Sequence, residues 1–141
     1  MGAKNTFRLL TGVALVLLVT SAAASRPRKM QRIPVGSWGG PHINIDVKSN
    51  SATVDYDCAN GTITGPLTVD SKGRFTWKGT HEREGPGPTR MDRQPAKLPV
   101  IYTGTVKGAT MTLTVKFAES GETIDTFTLE QGRSGRVFKC K

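Results

Sequence analysis

The chain has 141 residues, a formal net charge of +9 and few aromatic residues, which make up 6% of the sequence. This length excludes a multidomain organisation and leaves room for one ordinary domain. The two cysteines do not form a CxxC pair, which excludes a dithiol redox centre of that type.

The first 25 residues have the pattern of a signal peptide. Lys4 and Arg8 precede an apolar run over 9–19, and small residues follow over 21–25. The run is about 11 residues long, short of the ~20 that a membrane-spanning helix needs. We therefore predict that residues 1–25 are removed on export, that the protein is secreted or periplasmic, and that it has no transmembrane segment.

Residues 26–35, which follow the predicted cleavage point, form a basic arm. The arm contains cations and no acidic residue, and such segments are typically solvated tails. The alternative is a weak electrostatic contact with a polyanion, such as nucleic acid, anionic lipid or an envelope polymer. The cations are Arg26, Arg28, Lys29 and Arg32.

Residues 36–141 alternate apolar and polar side chains almost throughout, with turn residues at regular breaks. The pattern predicts a single all-β domain, an antiparallel meander of about eight strands without helices. Because each strand has one apolar face, the sheet is expected to close into a barrel, with a β-sandwich as the alternative. The strands are expected at 43–48, 52–58, 62–69, 75–78, 100–106, 111–117, 123–129 and 136–140.

Two of these strands depart from strict alternation. Gly65-Pro66 interrupts the third strand and predicts an edge, a bulge or a corner there. In the strand that begins at Thr123, Ile124 and Phe127 fall on opposite faces unless a β-bulge intervenes. The orientation of that strand is therefore left open.

Residues 81–99 break the alternation altogether. They contain four prolines, two glycines and seven charged residues, which predicts a long loop. Loops of this length are often functional, and this one is a candidate protein-interaction or protease-inhibitor segment. The alternative is a tolerated surface insertion. The residues expected to make such an interaction are Arg83, Arg90, Met91 and Arg93.

Cys58 and Cys140 are the only cysteines of the chain, and both follow the predicted signal peptide. In an oxidising compartment such a pair is expected to form a disulfide. By the chain-entropy argument, a bridge across so long a loop stabilises the fold by roughly 3 to 5 kcal/mol. Two free thiols or a metal-binding pair are the alternatives.

The segment Gly36-Ser37-Trp38 precedes the first expected strand and resembles the G-x-W motif of the calycins, the superfamily of lipocalins, fatty-acid-binding proteins and avidins. The resemblance implies that Trp38 closes one end of the barrel and that Arg136, from the last strand, lies over its ring. A second lipocalin motif, a C-terminal helix and the additional tryptophans of a biotin pocket are missing from the sequence. The resemblance therefore implies the shape of a small secreted protein, expected to be bacterial, and no particular ligand.

The inward faces of the expected strands carry aromatic and apolar side chains with few charges. A cavity with this lining suits a small apolar or aromatic molecule, oriented by tyrosine hydroxyls. The alternative is that these side chains simply fill the core. They are Tyr56, Phe75, Trp77, Tyr102, Met111, Leu113 and Phe117.

Signals of catalysis are weak. His81 has Glu82 and Glu84 nearby, but the chain has no HExxH, GxSxG or paired-histidine spacing. We expect His42 and His81 to be surface residues, and the outward Asp55 and Asp57 to pair with lysines. We therefore predict a monomeric binding protein without a catalytic site, metal or cofactor, and a hydrolytic enzyme is the least favoured reading.

Overall fold

The computed structural model describes residues 29–85, 92 and 94–140. The described residues form strands and turns, and no helix is found among them. Residues 1–28, with the predicted signal peptide, lie outside this part. The strands are β1 (Gln31–Arg32), β2 (Gly36–Gly40), β3 (Ile43–Val47), β4 (Ser51–Tyr56), β5 (Ala59–Thr64), β6 (Thr68–Val69), β7 (Arg74–Arg83), β8 (Lys97–Lys107), β9 (Thr110–Phe117) and β10 (Thr123–Gln131).

Eight of the strands form one closed antiparallel barrel in the order β10-β2-β3-β4-β5-β7-β8-β9. Alternate residues are buried in most of the barrel strands, as in β9, where Met111, Leu113 and Val115 face inward between exposed or half-buried neighbours. The predicted all-β meander and its closure into a barrel are confirmed, and the sandwich alternative is wrong. Closure follows because alternating strands bury their apolar faces on each other and leave no open sheet edge.

The barrel does not use all of the expected strands. Gly36–Gly40, expected to precede the first strand, is itself a barrel strand and pairs with β3 over its whole length. The expected last strand, 136–140, is wrong, because the chain turns at Gly132 with φ of 74° and leaves the barrel. Closure is made instead by β10, whose Gln131 pairs with Trp38 of β2.

The two irregular strands resolve as a corner and a bulge. Gly65, with φ of 86°, separates β5 from β6. In β10 the register against β9 shifts between Thr123 and Asp125. Because of this bulge, Ile124 and Phe127 both pack against the core, which settles the orientation that the sequence left open.

One end of the barrel is covered. β1 and β6 form a two-stranded sheet there, and Ile33 and Leu67 are buried beneath it. Trp77 stacks on Phe75 with ring centroids 3.8 Å apart, and its Nε1 donates a hydrogen bond of 2.9 Å to the Thr68 carbonyl. The covered end is therefore sealed by aromatic packing and a hydrogen bond to the covering segment.

The middle of the barrel is filled by side chains. Tyr102 is fully buried and crosses the interior over Gly79. A Cβ added at Gly79 would lie 2.8 Å from the Tyr102 ring and 2.1 Å from the Thr62 carbonyl oxygen. An inward glycine thus provides the room for a large aromatic residue. Further completely buried side chains are Trp38, Ile43, Ile45, Ile63, Met111, Leu113 and Leu129.

Candidate functional site

The end of the barrel opposite the two-stranded sheet is open and forms a hollow of about 650 Å³. It lies where β4 ends at Tyr56 and β5 begins at Ala59, two residues that pair with each other. Ala59 also pairs with Arg83, the last residue of β7. We call this hollow the mouth. Its aromatic and apolar wall includes Tyr56, Ala59, His81, Ile124 and Phe127, and Cys140 stands at its rim. Four charged residues also line it: Asp57, Arg83, Glu84 and Asp125.

His81 is an inward-facing residue of the mouth. It is 8% exposed, and its ring centroid lies 5.2 Å from that of Tyr56 and 6.4 Å from that of Phe117. The expectation of a surface histidine is wrong, because β7 continues to Arg83 and His81 pairs with Leu98. Burial, with the charge of Arg83 nearby, lowers the pKa of His81, so the imidazole is neutral at pH 7.

Two tyrosines form a short hydrogen-bonded chain beneath the mouth. The Tyr56 hydroxyl donates to the Tyr102 hydroxyl at 3.0 Å, which in turn donates to the Thr80 carbonyl at 3.0 Å. Burial raises the pKa of Tyr102 to about 12 and, with Tyr102 beside it, raises that of Tyr56 well above its ordinary value. Both hydroxyls therefore stay protonated, and since their protons point inward, the Tyr56 oxygen retains an acceptor position.

The predicted lining residues divide between core and mouth. Six of the seven are buried and Phe117 is half-buried. Tyr56 alone among them borders the mouth, because the middle of the barrel is occupied. Those that fill the core are Phe75, Trp77, Tyr102, Met111 and Leu113.

His42 and Asp57 are hydrogen-bonded to each other at the rim of the mouth. His42 Nδ1 lies 2.5 Å from Asp57 Oδ2, and Asp57 Oδ1 accepts a 2.7 Å hydrogen bond from the Phe138 amide. The hydrogen bond from Phe138, followed by His42, lowers the pKa of Asp57. The exposed position expected for His42 is confirmed, whereas the hydrogen-bonded side-chain partner of Asp57 is His42, and Lys139 acts on Asp57 only through its charge.

Residues 133–140, which we call the strap, run along the outside of the barrel to this rim. The strap ends in the disulfide between Cys140 and Cys58, whose Cα atoms are 4.9 Å apart. Before it, Lys139 Nζ lies 3.0 Å from a carboxylate oxygen of Asp55 and 3.0 Å from one of Glu84. The predicted disulfide is confirmed, as is a lysine partner for Asp55.

The strap also changes the expected position of Arg136. Trp38 is completely buried in β2, whereas Arg136 is exposed on the strap. The backbone of Arg136 forms a parallel bridge with Pro41. The expected closing pair depended on a last barrel strand that carried Arg136 inward. Without that strand, the predicted inward orientation of Arg136 is wrong, and closure of the barrel end by Trp38 and Arg136 stays a prediction.

The predicted interaction loop is shorter than 81–99. β7 and β8 take up residues at both of its ends, and Arg83 is the exposed last residue of β7. Arg90, Met91 and Arg93 lie outside the described residues. Interaction through this loop stays a prediction.

The basic arm is only partly described, since Arg26 and Arg28 lie outside the described residues. Lys29 is exposed, and Arg32 belongs to β1. The Arg32 guanidinium donates a 3.0 Å hydrogen bond to the Ser49 carbonyl. This part of the arm is therefore attached to the barrel, and contact with a polyanion stays a prediction.

Comparisons with known proteins find no relative: no family model matches the chain, nor does any curated protein or solved structure. The closed eight-stranded barrel agrees with the shape implied by the calycin resemblance. Within the described ranges, no helix has the length and apolarity to cross a membrane. The same residues include no group of three or more His, Cys, Asp or Glu side chains placed to hold a metal ion.

Proposed function

We propose that this protein is an exported binding protein that holds one small aromatic or apolar molecule in the mouth of its barrel without transforming it. The observation that carries the proposal is the hollow of about 650 Å³ bordered by Tyr56, His81 and Phe127. Ligand sites in proteins are typically concave, largely apolar and roughly 300–1,000 Å³ in volume.

The wall of the mouth defines the chemistry of the ligand. Phe127 is 5.7 Å from Tyr56 between ring centroids, so two aromatic rings stand together beside a neutral imidazole. Aromatic walls favour a flat apolar body, which packs against their faces and edges. The Tyr56 oxygen and the His81 ring favour a ligand with one hydrogen-bonding group.

Export is supported by the pattern of residues 1–25 and by the disulfide. The bridge between Cys58 and Cys140 is compatible with an extracellular or periplasmic location, because disulfides persist in oxidising compartments. The strap that the bridge attaches also forms part of the rim of the mouth. In the proposed function, the disulfide keeps the rim in place around the ligand.

The test is ligand-detected NMR of the oxidised mature protein against a library of small aromatic and aliphatic compounds. Hits are then titrated into Tyr56→Phe and into the matched control Trp77→Phe. Each variant keeps an aromatic ring and loses one hydrogen bond, at opposite ends of the barrel. We expect ligands with a polar group to bind Tyr56→Phe several-fold more weakly and the control unchanged.

Two results would overturn the proposal. One is a library without a hit at millimolar concentration. The other is a set of hits whose affinity falls in the Trp77→Phe control and not in Tyr56→Phe, since binding would then depend on the covered end.

A further inference from the structure

The strap and β10 enclose a second concave surface, on the outer wall of the barrel. This groove measures about 480 Å³. Thr128 and Glu130, two outward residues of β10, line one side, and Gly39 and Gly40 of β2 contribute bare backbone. The strap forms the opposite side. We call this surface the outer groove.

From Ser134 onward the strap presents every second side chain to the outer groove, and Arg133 also lines the groove. Ser134, Arg136 and Phe138 line it, whereas the Gly135 amide donates a 2.9 Å hydrogen bond to Asn44 on the barrel. An extended chain alternates its side chains in this way. The groove is therefore bordered by a hydroxyl, a guanidinium and a phenyl ring in a row.

These groups stand on a fixed backbone. The Arg136 amide donates to the Gly40 carbonyl at 3.1 Å, and its carbonyl accepts from the His42 amide at 2.7 Å. The Phe138 carbonyl accepts from the Cys58 amide at 2.9 Å. At Gly39 the strap approaches so closely that an added Cβ would lie 2.2 Å from the Gly135 nitrogen. The backbone from which the guanidinium and the ring project is thus fixed before any ligand arrives.

Charge in the outer groove favours an anion. Within the described part of the chain, the Arg136 guanidinium makes no ion pair, whereas Arg133 lies 2.8 Å from Glu130. Phe138 is 66% exposed although its backbone is held on both sides. A planar guanidinium matches the two oxygens of a carboxylate, and an exposed ring beside it provides an apolar face.

We propose that the outer groove binds a small aromatic carboxylate, with the carboxylate on Arg136 and the aromatic body against Phe138 and Pro41. This site adjoins the mouth, with which it shares His42, and it does not depend on the proposed function. Glu130 restrains the affinity, because its carboxylate repels the ligand and occupies Arg133.

The test is a titration of the ¹⁵N-labelled, oxidised mature protein with 2-naphthoate, followed by amide chemical shifts. We expect saturable shifts at Gly40, Ser134 and Phe138, and none at His81. Shifts concentrated at His81 would place the acid in the mouth, which would overturn this site and leave the proposed function standing.

Variants then separate the two halves of the site. Arg136→Gln is expected to weaken 2-naphthoate binding about tenfold, the effect of losing a charge-assisted pair. The control Arg74→Gln removes one exposed arginine from β7 and is expected to leave affinity unchanged. Glu130→Gln is expected to tighten binding several-fold, a gain that a purely structural role of Glu130 would not produce.

Comparison ligands complete the test. The neutral 2-naphthamide is expected to bind at least about tenfold more weakly than the acid, and added salt to weaken the acid. Inorganic phosphate at equal ionic strength is expected not to compete. Equal binding of amide and acid, competition by phosphate, or an unchanged affinity in Arg136→Gln would each overturn the proposal.

Discussion

Replacing Cys58 and Cys140 together with serine is expected to lower the free energy of unfolding by about 4–5 kcal/mol. The two residues are separated by 82 positions, and cross-linking a loop of that length removes roughly 15 cal/mol/K of entropy from the unfolded chain. Domains of this size are stable by only about 5–15 kcal/mol. The variant is therefore expected to be folded but marginal, with a melting temperature about 20 °C lower.

The assay is urea unfolding of the oxidised protein and of the double variant, followed by tryptophan fluorescence. Trp38 and Trp77 are both buried, so their emission reports loss of the core. Reduced wild-type protein is the control and should unfold at the same urea concentration as the double variant. A loss below about 1 kcal/mol in the free energy of unfolding would contradict this expectation, since it would mean that the bridge hardly restricts the unfolded chain.

Further expectations concern pH and packing. Because burial lowers the pKa of His81 in the folded protein, stability should fall as pH drops below about 6.5, and a pH series of melting temperatures should lose this step in His81→Leu. Asp57 has a folded pKa below its ordinary 3.8, so its contribution to stability is present above that pH and is lost as the pH falls below it. In Asp57→Asn the melting temperature should therefore depend less on pH, and only in the acid range. Gly79→Ala, whose Cβ would lie 2.1 Å from the Thr62 carbonyl oxygen, should cost about 1–3 kcal/mol in urea unfolding, whereas Gly85→Ala, with no neighbour within 4 Å, should be near neutral.

The barrel could be predicted because its strands obey a simple periodicity. In β9 every second residue is apolar and buried, and a closed sheet is the direct way to bury one face of many such strands. Even the irregular strand was informative, since Ile124 and Phe127 can both face the core only with a bulge, and the bulge lies beside Thr123. Local alternation therefore carried most of the architecture.

The mouth was harder to predict because its main residue is polar and stands beside a proline-rich segment. His81 continues the inward series of Phe75, Trp77 and Gly79, but the charged, proline-rich segment that follows it hid that continuation. The signal that was available is the even spacing of these four residues. Extending the strand by parity would have placed the histidine inside the barrel.

The strap was wrongly predicted to be a barrel strand because its sequence is more regular than its pairing. Arg136, Phe138 and Cys140 alternate like a strand, and the strap does present alternate side chains to two sides. Sequence periodicity does not reveal which segment a strand pairs with. The strap forms one parallel bridge, between Arg136 and Pro41, instead of pairing along a barrel strand. The outer groove depends on that long-range contact and was therefore not predicted.

The proposed function requires that a ligand enters the mouth and not the middle of the barrel. The most direct measurement is the set of intermolecular nuclear Overhauser effects between a bound aromatic ligand and the labelled, oxidised protein. We expect contacts from the ligand to the rings of Tyr56, His81 and Phe127. Contacts to Leu113 and Met111, which are completely buried here, would contradict it.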